Sequence, residues 1–372
     1  MEPIRLIHIA PELPPTIGGV ADYTAILSHR LVEISDGAVE PVLVRAGARE
    51  GPEPEVDFSV VNLGGQCSAQ ALANTIVHPS KESEDPVAVL LEYSAYGYGT
   101  RGMPFWLACG LEEVCGLEGI PLLTMFHELH ASGPPWSKNF WLSFPQAHVI
   151  RRIVRMSGTV ITNRPDSASW LRRVSDSSVR LAPVFSNVGE PNETTPMEER
   201  DSYAVVFGGG GKDALYTAHL DRLVQFLHES KVQRLVDIGP SSEHADDKIG
   251  GIRVAKMGVA EPEVVSRCLR RAAFGFLCRN PVALTKSGGL AAYLSHGVPS
   301  VIALRDRSAP NPTLSNGTHY VSLERAIEVG SEWESSDWAA LGIQGHDWYM
   351  ENAHSRKAAW GVLKAIRGDD GV

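Results

Sequence analysis

Four short stretches carry residue types able to bind or activate a phosphorylated substrate. In Pro11-Glu12-Leu13-Pro14-Pro15-Thr16-Ile17-Gly18-Gly19 a glycine pair stands at the mouth of a helical pattern. Glycines there let a ligand reach bare backbone, and a helix N-terminus adds unpaired N–H groups and a positive dipole end that suit phosphate. In Phe126-His127-Glu128-Leu129 an imidazole and a carboxylate follow an apolar run. A His there can hydrogen-bond a hydroxyl or move a proton, because it titrates near neutrality. Phe207-Gly208-Gly209-Gly210-Gly211-Lys212-Asp213-Ala214 sets four glycines and a cation between a strand-like and a helical run. Finally, Lys286 with the N–H groups of Ser287, Gly288 and Gly289 can form a diphosphate cradle.

Each stretch also has a plainer reading. The prolines and glycines of the first can simply shape a turn. His127 and Glu128 can cap the turn that follows them, and Ser287 or Thr285 can be an ordinary N-cap beside a solvated Lys286. His127-Glu128-x-His130 lacks the four-residue spacing that puts two imidazoles on one helical face, which argues against zinc. Residues 209–214 satisfy G-x-G-x-x-A, so an NAD-dependent enzyme stays as a minor alternative. Val206 and Asp213 stand where a Walker loop needs Gly and Ser or Thr. The four loops together weigh more than any one of them.

The elements that must position these loops alternate along the chain. Aliphatic runs at 4–10, 41–46, 57–63, 87–93, 121–126 and 158–162 are separated by helical patterns, which predicts a parallel sheet covered by helices. Tyr23, Leu27, Leu31 and Ile34 recur at helical spacing and form the first crossover. Turn formers and acids at 189–202 interrupt the pattern and read as an interdomain linker. Strand-like runs resume at 203–207, 234–238, 252–255, 273–278 and 299–304, and a long helical pattern covers 346–367. The predicted fold is α/β, with two doubly wound Rossmann-like domains facing a cleft. Residues 1–188 form the first, 203–345 the second, and the helix in 346–372 crosses back to the first. In such sheets ligands bind beyond the carboxyl ends of the strands, where all four stretches lie.

Composition narrows the function. A chain of 372 residues with 43% hydrophobic residues suits two domains. A formal charge of −10 argues against a nucleic-acid partner. Five cysteines without a Cys-x-x-Cys pair point to a reducing compartment, and with no signal-like or membrane-spanning run a cytoplasmic location is expected. The segment 148–156 separates apolar residues from three arginines; it reads as a solvated surface helix, with a weak peripheral membrane contact as the alternative.

The sequence resembles GT-B fold glycosyltransferases, nearest to the retaining family 4 enzymes, over almost its whole length. The resemblance rests on HIAPELPPTIGGVADYTAILSHRL at 8–31, FHEL at 126–129, VITN at 160–163, APVFSNV at 182–188, VVFG at 205–208 and GGLAAYLSHGVPSVI at 288–302. It implies transfer of a sugar from a nucleoside diphosphate sugar to a carbohydrate or lipid-linked hydroxyl acceptor, with retention and without a metal or other cofactor. His127 and Glu128 are the implied catalytic pair, with His127 on the transferred sugar, and Tyr93 lies on the acceptor side. Gly18, Gly19, Lys212 and Lys286 to Gly289 are implied to hold the diphosphate. Counted from Gly297-Val298-Pro299, the two glutamates usual in the family are replaced by Leu284 and Ala292. A catalytically silent GT-B protein that binds a nucleotide or a partner is therefore the second reading.

Overall fold

The computed structural model describes residues 2–82, 85–305, 310–330 and 332–368. The chain divides into two compact units, residues 1–182 with 355–372, and residues 183–354.

The first unit is built on a sheet of seven strands, β1 (Ile4–Ala10), β2 (Val39–Arg45), β3 (Ser59–Asn62), β4 (Val87–Tyr93), β5 (Leu122–Phe126), β6 (Thr159–Thr162) and β7 (Val179–Leu181). Their order is β3-β2-β1-β4-β5-β6-β7, and every pairing is parallel. β4 and β5 are apolar along nearly their whole length because helices cover both faces of the sheet, leaving no side for solvent. The helix Gly19–Ile34 buries Tyr23, Leu27 and Leu31, with Ala21, Thr24 and Ser28 beside them. Ile7, Ile9, Val89, Leu91 and Tyr93 point to the other face, into a core shared with Leu107, Leu111, Val149, Ile150 and Ile153.

The second unit repeats the plan with β8 (Asp201–Phe207), β9 (Arg234–Ile238), β10 (Lys248–Ile249), β11 (Ile252–Gly258), β12 (Ala272–Arg279), β13 (Ser300–Leu304) and β14 (Val321–Ser322). The order is β10-β11-β9-β8-β12-β13-β14, parallel except for β10. Its core gathers Leu223, Phe226 and Leu227 with Phe274, Phe276 and Trp338, whose rings meet edge to face.

Three expectations are corrected. The stretch 189–202, expected as a linker between domains, belongs to the second unit and is stitched to it. Met197 packs on that unit's core, and the Arg200 guanidinium donates to the carbonyls of Leu269, Ala272, His296 and Gly297 at 2.8–3.2 Å. Burial pushes this guanidinium down to about 10. The pattern at 346–367 is two helices, Ser335–Asn352 in the second unit and Ser355–Arg367 in the first, broken at Ala353 and His354. Residues 369–372 of that stretch lie outside the described residues. The helix Ser355–Arg367 packs on Gly19–Ile34, where Arg30 Nε donates to Ser355 Oγ at 2.9 Å. Residues 148–156 belong to the helix Lys138–Met156, and their apolar side chains Val149, Ile150, Ile153 and Val154 are buried in the first core. That face therefore has no surface to give to a membrane. No described helix is long and apolar enough to cross one.

Candidate functional site

In the first unit, register decides which side chains can meet. His8 of β1 pairs with Leu90 of β4, and Glu92 of β4 pairs with Met125 of β5. Side chains alternate along a strand, so His8, Glu92 and His127, just beyond β5, share one face of the sheet. They form a closed network. His8 Nε2 lies 3.0 Å from Glu92 Oε1 and His127 Nε2 lies 2.6 Å from Glu92 Oε2. Outside them, Ser28 Oγ meets His8 Nδ1 at 2.8 Å and Asn163 Nδ2 meets His127 Nδ1 at 3.3 Å. Tyr23 lays its ring edge against His127, with centroids 5.1 Å apart. Since the Asn163 amide can only donate at that nitrogen, His127 carries its proton on Nε2 and gives it to the Glu92 carboxylate. Burial alone would push the Glu92 carboxyl up, but the hydrogen bonds from His127 and His8 outweigh it and hold the carboxyl below its usual range.

This geometry alters the roles expected for the first unit. Both ring nitrogens of His127 have protein partners, so the ring is held as part of a buried polar core, 5% exposed. Glu128 is exposed in the loop that follows. Tyr93 does not face an acceptor: it points to the opposite face from Glu92, fully buried against Phe126 and Tyr98. Gly18 is the N-cap of the helix Gly19–Ile34, but in an extended conformation open to any residue. The Glu12 carboxylate sits beside it, 3.3 Å from where a Cβ would be. Gly19 borders open space.

In the second unit the strand order reverses between β8 and β12, and the crevice beyond their carboxyl ends is the place where such sheets take ligands. The structure brings two of the predicted loops together there. Ser287 caps the helix Gly288–Ser295, its hydroxyl accepting from Leu290 N at 3.2 Å. Gly289 packs so closely on the end of β8 that a Cβ would lie 3.0 Å from Phe207 O. Gly288 borders open space, and Lys286 is half-buried at the end of a 3₁₀ turn. In the other loop Gly211 takes φ +81°, and a Cβ on it would lie 2.1 Å from Cys278 O. Only glycine allows that approach.

Lys212 does not serve as predicted. Its Nζ lies 2.5 Å from Asp237 Oδ1, 3.0 Å from Pro240 O and 3.3 Å from Ile238 O. An ammonium has three protons, and here all three have acceptors. Tyr216 donates to the other Asp237 oxygen at 2.6 Å. Lys212 is thus a buried partner of the fold, 3% exposed, with its ammonium turned to Asp237.

His8, Glu92, Asp237 and Arg279 lie outside the four motif stretches. The signal was there, because each is a charged or titratable residue inside or at the end of an apolar run, such as IRLIHIA, VAVLLEY, RLVDI and AAFGFLCR. Among the described residues no group of three or more His, Cys, Asp or Glu side chains could hold a metal ion.

No protein-family profile matches the chain, and no curated protein sequence matches it. Solved structures do match its fold. Trehalose-6-phosphate synthase from E. coli, solved with UDP-2-fluoro glucose, superposes with a TM-score of 0.61 at 9% identity, over 99% of each chain. WaaG, a glycosyltransferase involved in lipopolysaccharide biosynthesis, gives 0.59 at 11%, over 98% of this chain and 100% of its own. An α-glucosyltransferase solved with UDP gives 0.60 at 10%, over 98% and 99%. The fold is therefore the GT-B fold of these glycosyltransferases, along the full length of both chains compared.

Proposed function

We propose that this chain is a glycosyltransferase, moving a sugar from a nucleoside diphosphate sugar to a hydroxyl acceptor in the building of a glycan. The observation that carries the proposal is the end-to-end likeness to structures that hold UDP or a UDP-sugar, together with two glycine-bearing loops meeting at the strand-order reversal of the second sheet. Departure of the diphosphate is the step that needs help. Fixed cations and oriented amides stabilise the growing charge there without reorganising. Lys286 and the first-turn amides of the helix Gly288–Ser295 are the groups proposed for that role. With charge −10 on the chain, a carbohydrate or lipid-linked acceptor fits better than a nucleic acid.

The test is a panel of nucleotide sugars offered to the full chain with a mixture of glycan acceptors. Release of a nucleoside diphosphate, and thermal stabilisation by the same diphosphate, are the expected results. One observation favours a second reading, a GT-B protein that binds without catalysis. Leu284 and Ala292, at the positions of the family glutamates, are both buried at 1% exposure or less. Stabilisation by a diphosphate with no turnover of any donor would select this reading, and absence of both would remove the two together.

A further inference from the structure

The loop Gly208 to Gly211 has lost its own cation to Asp237, yet two others reach it from neighbouring strands. Arg279 ends β12 and is half-buried; a Cβ on Gly210 would lie 2.3 Å from both its Nη1 and its Nη2. Arg305, just past β13, brings its Nη2 to 3.5 Å from the corresponding point on Gly211. Their backbones are joined by Arg305 N donating to Arg279 O at 3.2 Å. Among the described residues neither guanidinium has a carboxylate partner; Arg305 meets the Cys278 thiol. Burial and the neighbouring Arg305 charge together push Arg279 down from the ordinary arginine range. A half-buried guanidinium beside a second, exposed one carries a desolvation and repulsion cost in the fold. A guanidinium presents paired donors matched to phosphate oxygens, so a bound phosphate offsets that cost. The place also fits, since β8 and β12 are the strands between which the order reverses.

We infer that Arg279, assisted by Arg305, is a second diphosphate-binding cation of the second unit, facing the phosphates from the glycine loop as Lys286 does from the helix Gly288–Ser295, and that Lys212 serves only to hold the loop's base. The inference rests on the proposed transferase reading for the identity of its ligand, a nucleoside diphosphate. Its chemistry, two linked phosphates on paired guanidiniums, is shared by free pyrophosphate.

Titration calorimetry on the full chain tests it, with UDP, ADP, GDP, inorganic pyrophosphate and uridine as probes. Against wild type stand Arg279→Gln, Arg279→Lys and the remote, exposed Arg253→Gln as a charge control. Arg279→Gln is expected to weaken whichever diphosphate binds, and pyrophosphate, by about 10- to 100-fold, the range for losing a charge-assisted contact. Arg279→Lys, which keeps the charge and loses the fork, should fall between, and Arg253→Gln and the affinity for uridine should not move. Because the ligand-free fold is relieved of a repulsion, Arg279→Gln should melt no lower than wild type, while pyrophosphate raises the melting temperature of wild type only. Binding within about threefold of wild type in Arg279→Gln overturns the inference and leaves the transferase reading standing. Pyrophosphate binding that depends on Arg279, without binding of any nucleoside diphosphate, upholds the site and counts against the transferase reading. If wild type binds none of the phosphate probes at millimolar concentration, both fall.

Discussion

Glu92 is the hinge of the first unit's buried polarity, since two imidazoles from different elements converge on its carboxylate. Removing one partner from a buried ionic group leaves the others desolvated and unpaired, at a typical cost of about 3–5 kcal/mol. Glu92→Ala should therefore lower the stability of the first unit by about 3 kcal/mol in urea unfolding, and Glu92→Gln, which keeps the shape, by less. The sign of the pH effect follows from the carboxyl being held below its usual range. A lowered pKa in the folded state adds stability that is present above the unfolded value, about 4.3, and is lost as pH falls through the folded value. Acid unfolding followed by circular dichroism should show that loss in wild type below about pH 4.3 and a shallower one in Glu92→Gln. Lys212→Met makes the matching prediction for the second unit: it strands the buried Asp237 and should cost about 3 kcal/mol of stability. A ligand cation would behave in the opposite way, its loss weakening binding while leaving the fold intact. At this scale the sequence was legible in residue type and not in direction. It placed His127 and Tyr93 at strand ends and Lys212 at the mouth of a helix, where they are, but the direction of Tyr93 is set by sheet register, and those of His127 and Lys212 by partners 35 and 25 residues away, Glu92 and Asp237. Nothing in a linear motif carries that information.

The elements themselves were the most readable level. A parallel sheet buried on both faces leaves long aliphatic runs, and β1, β4, β5, β8 and β12 stand where such runs predicted them. Only the last turns of the helix Ser335–Asn352 fall within the helical pattern predicted at 346–367; Gly342 and Gly345 lie just ahead of it. In the structure they are close-packing points: a Cβ on Gly342 would lie 2.4 Å from Gly297 O, and one on Gly345 2.8 Å from Leu294 Cδ2. Its first turn is held by a capping box between Glu334 and Asp337. Two predictions belong here. Ser287→Ala removes the hydroxyl that caps Gly288–Ser295 and should cost about 1 kcal/mol, with Ser287→Asp close to wild type in thermal melts. Gly211→Ala is a harsher change, because its Cβ would run into Cys278 O at a backbone angle that side chains avoid. It should lower stability by at least about 2 kcal/mol, and the same calorimetry should show any binding at the glycine loop weakened with it.

Taken whole, the chain closes its first unit with residues that follow the entire second unit. Ala359, Val362 and Leu363 of the helix Ser355–Arg367 are buried at 3% exposure or less, and that helix packs on the helix Gly19–Ile34 from the other end of the sequence. Leu363→Ala should cost about 2–5 kcal/mol. Hydrogen exchange should locate the loss in Gly19–Ile34 and the first sheet, with protection in β8 to β14 unchanged. Sequence alone placed a helix there because its aromatic and aliphatic spacing is helical; the break at Ala353 and His354, which hands the chain from one unit to the other, has no Pro or Gly to announce it.

That discontinuity sets an order of events at the ribosome. Residues 183–354 are complete before the last piece of the first unit has been made. At about 5–20 residues per second, the 172 residues from 183 to 354 take roughly 10–30 s to synthesise. Throughout that interval the nascent helix Gly19–Ile34 must wait with the surface later covered by the helix Ser355–Arg367 open to water. For the whole of this delay the newly made chain carries uncovered apolar surface, the kind on which aggregation starts.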